Sequence, residues 1–125
     1  MIRVLIVDDD EQERTFLGQY LEAKRYACSL AANAAEGRQL LRREKFNLIL
    51  SDLNMPGESG LEFLQWALST NPETAGLMMT GMLTPEIVEK ATAIGAYCCM
   101  AKPIPLDRLL VNMSDALRRG HKSQL

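Results

Sequence analysis

The sequence predicts an α/β fold, a doubly wound sheet of five parallel strands with helices between them. Short apolar runs alternate with amphipathic stretches from one end to the other, the pattern of strands separated by helices. The short runs are apolar throughout rather than in alternation, as strands covered on both faces must be. At 125 residues, with 47% hydrophobic and 24% charged, the chain has the size and balance of one globular domain. Such a chain can bury roughly two thirds of the surface its unfolded form exposes and needs no disulfide or metal to fold.

The first strand is expected at Ile2 to Val7 and stops at three consecutive acids, Asp8, Asp9 and Asp10. That apolar run is far shorter than the ~20 residues of a membrane span, and it lacks the layout of a signal peptide, so a cytoplasmic chain is expected. Asp10, ahead of Glu11-Gln12-Glu13, reads as the N-cap of the first helix. The second strand is expected at Ala27 to Ala31, and the helix after it opens on Asn33 and Glu36, which stand at capping-box spacing. The third strand, Leu48 to Ser51, delivers Asp52. Ser59 with Glu62 then caps a third helix whose apolar stripe reads Leu61, Leu64, Leu68. The fourth strand, Gly76 to Thr80, leads to Thr84-Pro85, a cap followed by a first-turn proline, and Gly95 stops the fourth helix. The fifth strand, Tyr97 to Met100, runs into Lys102-Pro103, and Leu106, Leu109, Leu110, Met113 and Leu117 mark the last helix. The domain is expected to span residues 1–119, with residues 120–125 a tail or the start of a linker.

Fourteen Lys and Arg against sixteen Asp and Glu leave a formal charge of −2, too balanced for a surface that holds phosphate backbones by charge, so direct nucleic-acid binding is not expected. Cys28, Cys98 and Cys99 are odd in number and lack metal-site spacing; they read as small buried apolar residues.

In a doubly wound sheet, ligands bind at the carboxyl ends of the strands near the reversal of strand order. Those ends carry the acids Asp8, Asp9 and Asp52, the hydroxyl of Thr80 and the amine of Lys102. Carboxylates sharing one cleft repel, a hard divalent cation relieves them, and oxygen-only ligands favour Mg²⁺. One carboxylate can then attack phosphorus, while a hydroxyl and an ammonium serve the remaining phosphoryl oxygens.

From Arg3 to about Arg119 the sequence resembles the receiver domain of two-component response regulators. The segment Leu48 to Glu62, containing Asp52, Pro56 and Gly60, is similar to the family's phosphoacceptor segment. Val4 to Asp10 is similar to its acidic opening, and Met79-Thr80-Gly81 and Ala101-Lys102-Pro103 complete the set. The resemblance implies a flavodoxin-like (βα)5 fold with strand order 2-1-3-4-5. It also implies that Asp52 accepts a phosphoryl group from a histidine kinase or histidine phosphotransfer protein. Asp9 would bind Mg²⁺ directly, Asp8 mainly through water, and the Asn54 carbonyl would add a ligand; Thr80 and Lys102 would contact phosphoryl oxygens. The Lys102-Pro103 bond is usually cis in the family. Such a domain is a phosphoacceptor switch rather than an enzyme, with at most slow reaction with small donors and slow self-dephosphorylation. The face of helix four, strand five and helix five would meet an output domain or a second copy.

The family's strand-five aromatic, three residues before the lysine, is Cys99 here, and Tyr97, two residues earlier, is expected on the same side of the strand. The positions two after the acceptor and two after the threonine, Asn54 and Met82, set phosphoryl lifetime in the family, and an apolar Met82 implies slow hydrolysis. One alternative is a receiver-like interaction module that is never phosphorylated. A weaker one is a haloacid-dehalogenase-like phosphatase, suggested by Asp8-x-Asp10 but opposed by Gln12 and by the isolated Asp107 and Asp115.

Overall fold

The structure, a computed structural model, describes residues 1–122. Its elements alternate as β1 (Arg3–Val7), α1 (Glu11–Ala23), β2 (Ala27–Ala31), α2 (Ala34–Arg43), β3 (Leu48–Asp52), α3 (Gly60–Thr70), β4 (Ala75–Thr80), α4 (Pro85–Ala93), β5 (Cys98–Ala101) and α5 (Leu106–Lys122). All neighbouring strands are parallel, in the order β2-β1-β3-β4-β5. The expected strands are all present, with ends displaced by a residue at most.

Alternation along each strand divides the core into two layers. Val4, Ile6, Leu48, Leu50, Leu77 and Met79 face α1 and α5, where Leu17, Leu21, Leu109 and Met113 cover them. Leu5, Val7, Ile49 and Met78 face Leu41, Phe63, Leu64, Ala67 and Ala91 of α2, α3 and α4. Burial on both sides explains why the central strands read as unbroken apolar runs. The buried centre of α3 is Phe63, Leu64 and Ala67, with Leu61 and Leu68 flanking it, so the stripe lies slightly off the one drawn from leucines alone.

The expected caps form. Asp10 accepts from the Gln12 and Glu13 amides, Asn33 from Glu36, Ser59 from Glu62, and Thr84 from Ile87. Gly95, at φ +99°, ends α4: its N–H donates to Thr92 O while that of Ala96 reaches Ala91 O. At the other end of the chain, α5 continues to Lys122, into the segment read as a tail; residues 123–125 lie outside the described residues. A glycine within a helix costs only about 1 kcal/mol against alanine, so Gly120 does not end it. Among the described residues no helix is long and apolar enough to cross a membrane.

Two local expectations fail. All three cysteines are free and only half-buried, and burial still pushes the thiols of Cys28 and Cys98 up to about 11. Tyr97 is not on the side of Cys99. It sits in the bend before β5 and packs with the α1 and α5 layer, under the Arg119 guanidinium 5.6 Å from its ring, whereas Cys99 packs with the α2–α4 layer. The two-residue rule holds only inside a strand, and β5 begins at Cys98.

Gly37 gives a test of the packing between α2 and α3. A Cβ there would lie 2.8 Å from Phe63 Cζ and 3.4 Å from Val7 Cγ2, and Phe63 is fully buried. Gly37→Ala gains up to about 1 kcal/mol in helix propensity but loses about 1–3 to overpacking. A net loss of roughly 1 kcal/mol is expected in urea denaturation. Phe63→Leu in the same chain should reduce the additional cost of the alanine, and independent, additive losses would contradict the contact.

Candidate functional site

The carboxyl ends of β1, β3, β4 and β5 meet at one edge of the sheet, beside the point where strand order reverses between β1 and β3. Strand geometry places the acids. The Asp8 amide donates to Ala31 O at 3.0 Å, continuing the β1–β2 ladder, and Leu53 N–H donates to Met79 O at 2.8 Å just beyond Asp52. Asp8 and Asp52 are buried and Asp9 is exposed, and one carboxylate oxygen from each lies within 4.8 Å of the others. This acidic pocket is compatible with metal binding. Its donors are oxygens only, which suits a hard cation. Asp8 Oδ1 accepts from the Asp10 amide at 2.9 Å, but Oδ2 is buried and has no hydrogen-bond partner, an orphan acceptor of the kind a cation satisfies.

Lys102 enters from the far side. β5 stands three strands from β1, about 14 Å at the usual spacing, so only a long side chain can reach the acids. Its amide donates to Thr80 O at 2.8 Å, the Lys102-Pro103 bond is cis, and its Nζ lies 3.2 Å from Asp52 Oδ2 and 3.7 Å from Asp8 Oδ2. The nearest carboxylate is one the sequence reading missed, Glu13 of α1, with Oε1 at 3.0 Å. Arg14, also missed, donates from Nη1 to Asp8 O at 2.8 Å. Both lie in the first turn of α1, where acids and bases are ordinary, so their only signal was proximity to Asp8 and Asp9.

Thr80 is fully buried; its Oγ1 accepts from the Met82 amide at 3.1 Å and from Asn54 Nδ2 at 3.4 Å. Asn54 is exposed, and its own amide donates to Asp52 Oδ1 at 3.3 Å. The six residues read from the sequence as the site, Asp8, Asp9, Asp52, Asn54, Thr80 and Lys102, are therefore on one edge.

Burial dominates the electrostatics. It raises the Asp8 carboxyl from 3.8 to about 6, with the Asp10 amide and the Lys102 ammonium pulling back. Asp52 is raised too, by burial first, against the pull of Lys102. For Lys102, burial alone would lower the ammonium, but Glu13, Asp8 and Asp52 together outweigh it and hold it above its ordinary value. A cleft of about 540 Å³ lined by Lys45, Phe46 and Asn71 lies at the opposite edge, where Asn71 is already paired with Ala67 O.

A parallel five-stranded sheet with buried acids, a hydroxyl and an amine at one edge defines a receiver. The family model for the response regulator receiver domain matches residues 4–114, and the chain belongs to that family. It is 34% identical to the response regulator protein PilR of Pseudomonas aeruginosa, over 93% of this chain and 26% of that one. It is 32% identical to a probable chemotaxis protein CheY of Rhizobium etli, over 86% of each. The crystal structure of a CheY-like response regulator receiver domain protein from Methanospirillum hungatei JF-1 superposes with a TM-score of 0.92 at 32% identity, over 98% of each chain. The chain spans only about a quarter of the length of the first curated relatives. Phosphorylation on aspartate is typical of the family, whose members are phosphoacceptor switches rather than classical enzymes.

Proposed function

We propose that Asp52 is the phosphoacceptor of this receiver and that the acidic pocket holds Mg²⁺ while it reacts. One observation carries the reading: the buried Asp52 carboxylate is 3.2 Å from Lys102 Nζ and shares a pocket with Asp8 and Asp9. The donor would be the phosphohistidine of a histidine kinase or histidine phosphotransfer protein. An Asp52 oxygen bonds to phosphorus as the P–N bond to histidine breaks, and the imidazole nitrogen keeps that electron pair and takes up a proton. Asp8, Asp9, Asp52 and the Asn54 carbonyl would hold the cation. When bound, Mg²⁺ offsets the repulsion among the carboxylates and draws charge from one phosphoryl oxygen. Lys102 pairs with a second oxygen. Thr80 donates to a third after exchanging its present bonds to the 81–84 loop, so the loop is released as the hydroxyl engages.

The test is intact-mass analysis after incubation with acetyl phosphate. One phosphoryl group should appear with Mg²⁺, and none should appear with chelator or in Asp52→Ala; equal labelling of Asp52→Ala would defeat the assignment.

Met82 is 70% exposed and apolar, and offers no hydrogen bond to an attacking water. Met82→Glu is expected to shorten the phosphoryl lifetime about tenfold, less than the roughly 100- to 10,000-fold of a fully positioned general base, because the side chain at this position is 70% exposed. Phosphate release followed after donor removal checks it, and a variant no faster than wild type would contradict it.

Output is proposed to pass through α4, β5 and α5, where Val88 and Val111 are 41% and 52% exposed. The occupant would be an output domain or a second receiver, and the reading includes action in the cytoplasm. Phosphorylation shifts existing states rather than creating a fold. Sedimentation with and without beryllofluoride should reveal a change in association, or backbone resonances on that face should move.

A further inference from the structure

Glu13 stands where a capping box would place its carboxylate on the Asp10 amide, three residues after the N-cap. That amide is already taken by Asp8 Oδ1 at 2.9 Å. The Glu13 side chain instead crosses to Lys102, and at 3.0 Å it is closer to Nζ than Asp52 at 3.2 Å or Asp8 at 3.7 Å. It is 30% exposed, so water screens this pair only in part. The ammonium has three N–H bonds and three carboxylates around it, and the reading of Asp52 above requires the same ammonium to serve a phosphoryl oxygen.

We propose that Glu13 is a positioning residue that competes with the phosphoryl group for Lys102, and so sets how tightly the modified state is held. The inference rests on the proposed role of Asp52. In the resting site, Glu13 parks the ammonium between α1 and β5 and adds a fourth negative charge to Asp8, Asp9 and Asp52, which favours the cation. Once the acceptor carries further negative charge, the same carboxylate works against it, by repulsion and by retaining Lys102. The two effects have opposite signs, which a role in folding alone cannot produce.

Glu13→Gln keeps an oxygen that can accept from Nζ and removes the charge. The Mg²⁺ affinity of this variant, by calorimetric titration at low ionic strength, is expected to fall about threefold, and beryllofluoride affinity at saturating Mg²⁺, by fluorine NMR, to rise about three- to tenfold. Glu13→Ala should shift both in the same directions. Beryllofluoride binding that weakens or stays unchanged in Glu13→Gln overturns the proposal, as does Mg²⁺ binding that does not fall. Wild-type protein that binds no beryllofluoride in Mg²⁺, or incorporates no phosphoryl group, overturns the underlying reading of Asp52 instead.

Discussion

In the absence of divalent cations the protein is expected to gain stability as the pH falls from 7 to about 5, and Asp8→Asn is expected to stabilise it at pH 7 by about 1–3 kcal/mol. Asp8 has no exposed surface, and burial lifts its carboxyl to about 6 in the folded chain, against 3.8 when unfolded. Above pH 6 both states are ionised and the folded state bears the desolvation cost. Between about 6 and 4 only the folded state takes up the proton, so the cost fades as pH falls through that window. Asp52, raised by burial, acts in the same direction. The shift at Asp8 corresponds to at most about 3 kcal/mol, since each unit is worth about 1.4. The proposed Mg²⁺ would bind the ionised acids, so it should stabilise the wild type at pH 7, have little effect at pH 5, and have less effect on Asp8→Asn at either pH. Urea denaturation in chelator and in Mg²⁺ at both pH values decides the matter. Stability that drops steadily from pH 7 to 5 in chelator, or an Asp8→Asn protein weaker than wild type at pH 7, would show that Asp8 is not held at a cost. The substitution would strengthen the fold while removing a proposed cation ligand, the usual exchange at a site built for chemistry.

Gly60→Ala is expected to cost at least about 3 kcal/mol. A Cβ at Gly60 would stand 1.8 Å from Asp52 O and 2.8 Å from both Asp52 C and Leu53 Cα. All three are backbone atoms, so no side chain can swing aside. The Gly60 amide also donates to Leu53 O at 2.9 Å, which pins the start of α3 to the strand end that presents Asp52, the proposed acceptor. Relief must move either α3 or Asp52 itself. The folded fraction should therefore also lose Mg²⁺-dependent labelling by acetyl phosphate. Gly81→Ala is the control, because nothing lies within 4 Å of a Cβ there. A denaturation midpoint for Gly60→Ala close to wild type, with full labelling, would contradict the close approach.

Much of this fold is written locally. Apolar runs covered on both faces, Asp10, Asn33, Ser59 and Thr84 as caps, and Gly95 as a stop are decided by a few neighbouring residues, and each is found where the pattern puts it. The acids at the ends of β1 and β3, and Thr80 and Lys102 at the ends of β4 and β5, were legible for a related reason: a parallel sheet brings every strand's carboxyl end to one edge. Tyr97 was misread because β5 begins only at Cys98: ahead of the strand the two-residue alternation no longer ties its side chain to the side of Cys99, and it joins the α1 and α5 layer instead.

By itself, then, the sequence determined the α/β order of elements, the caps and the set of chemical groups at the sheet's edge, since these depend on residue type and short spacing. Tertiary packing alone decided that Glu13 and not only Asp52 holds Lys102, that Asp8 keeps one oxygen without a hydrogen-bond partner, and that Gly60 has no room for a side chain. Those features arise where α1, β3, α3 and β5, distant along the chain, are pressed together. No local pattern encodes the distance between side chains that meet only after the sheet has formed.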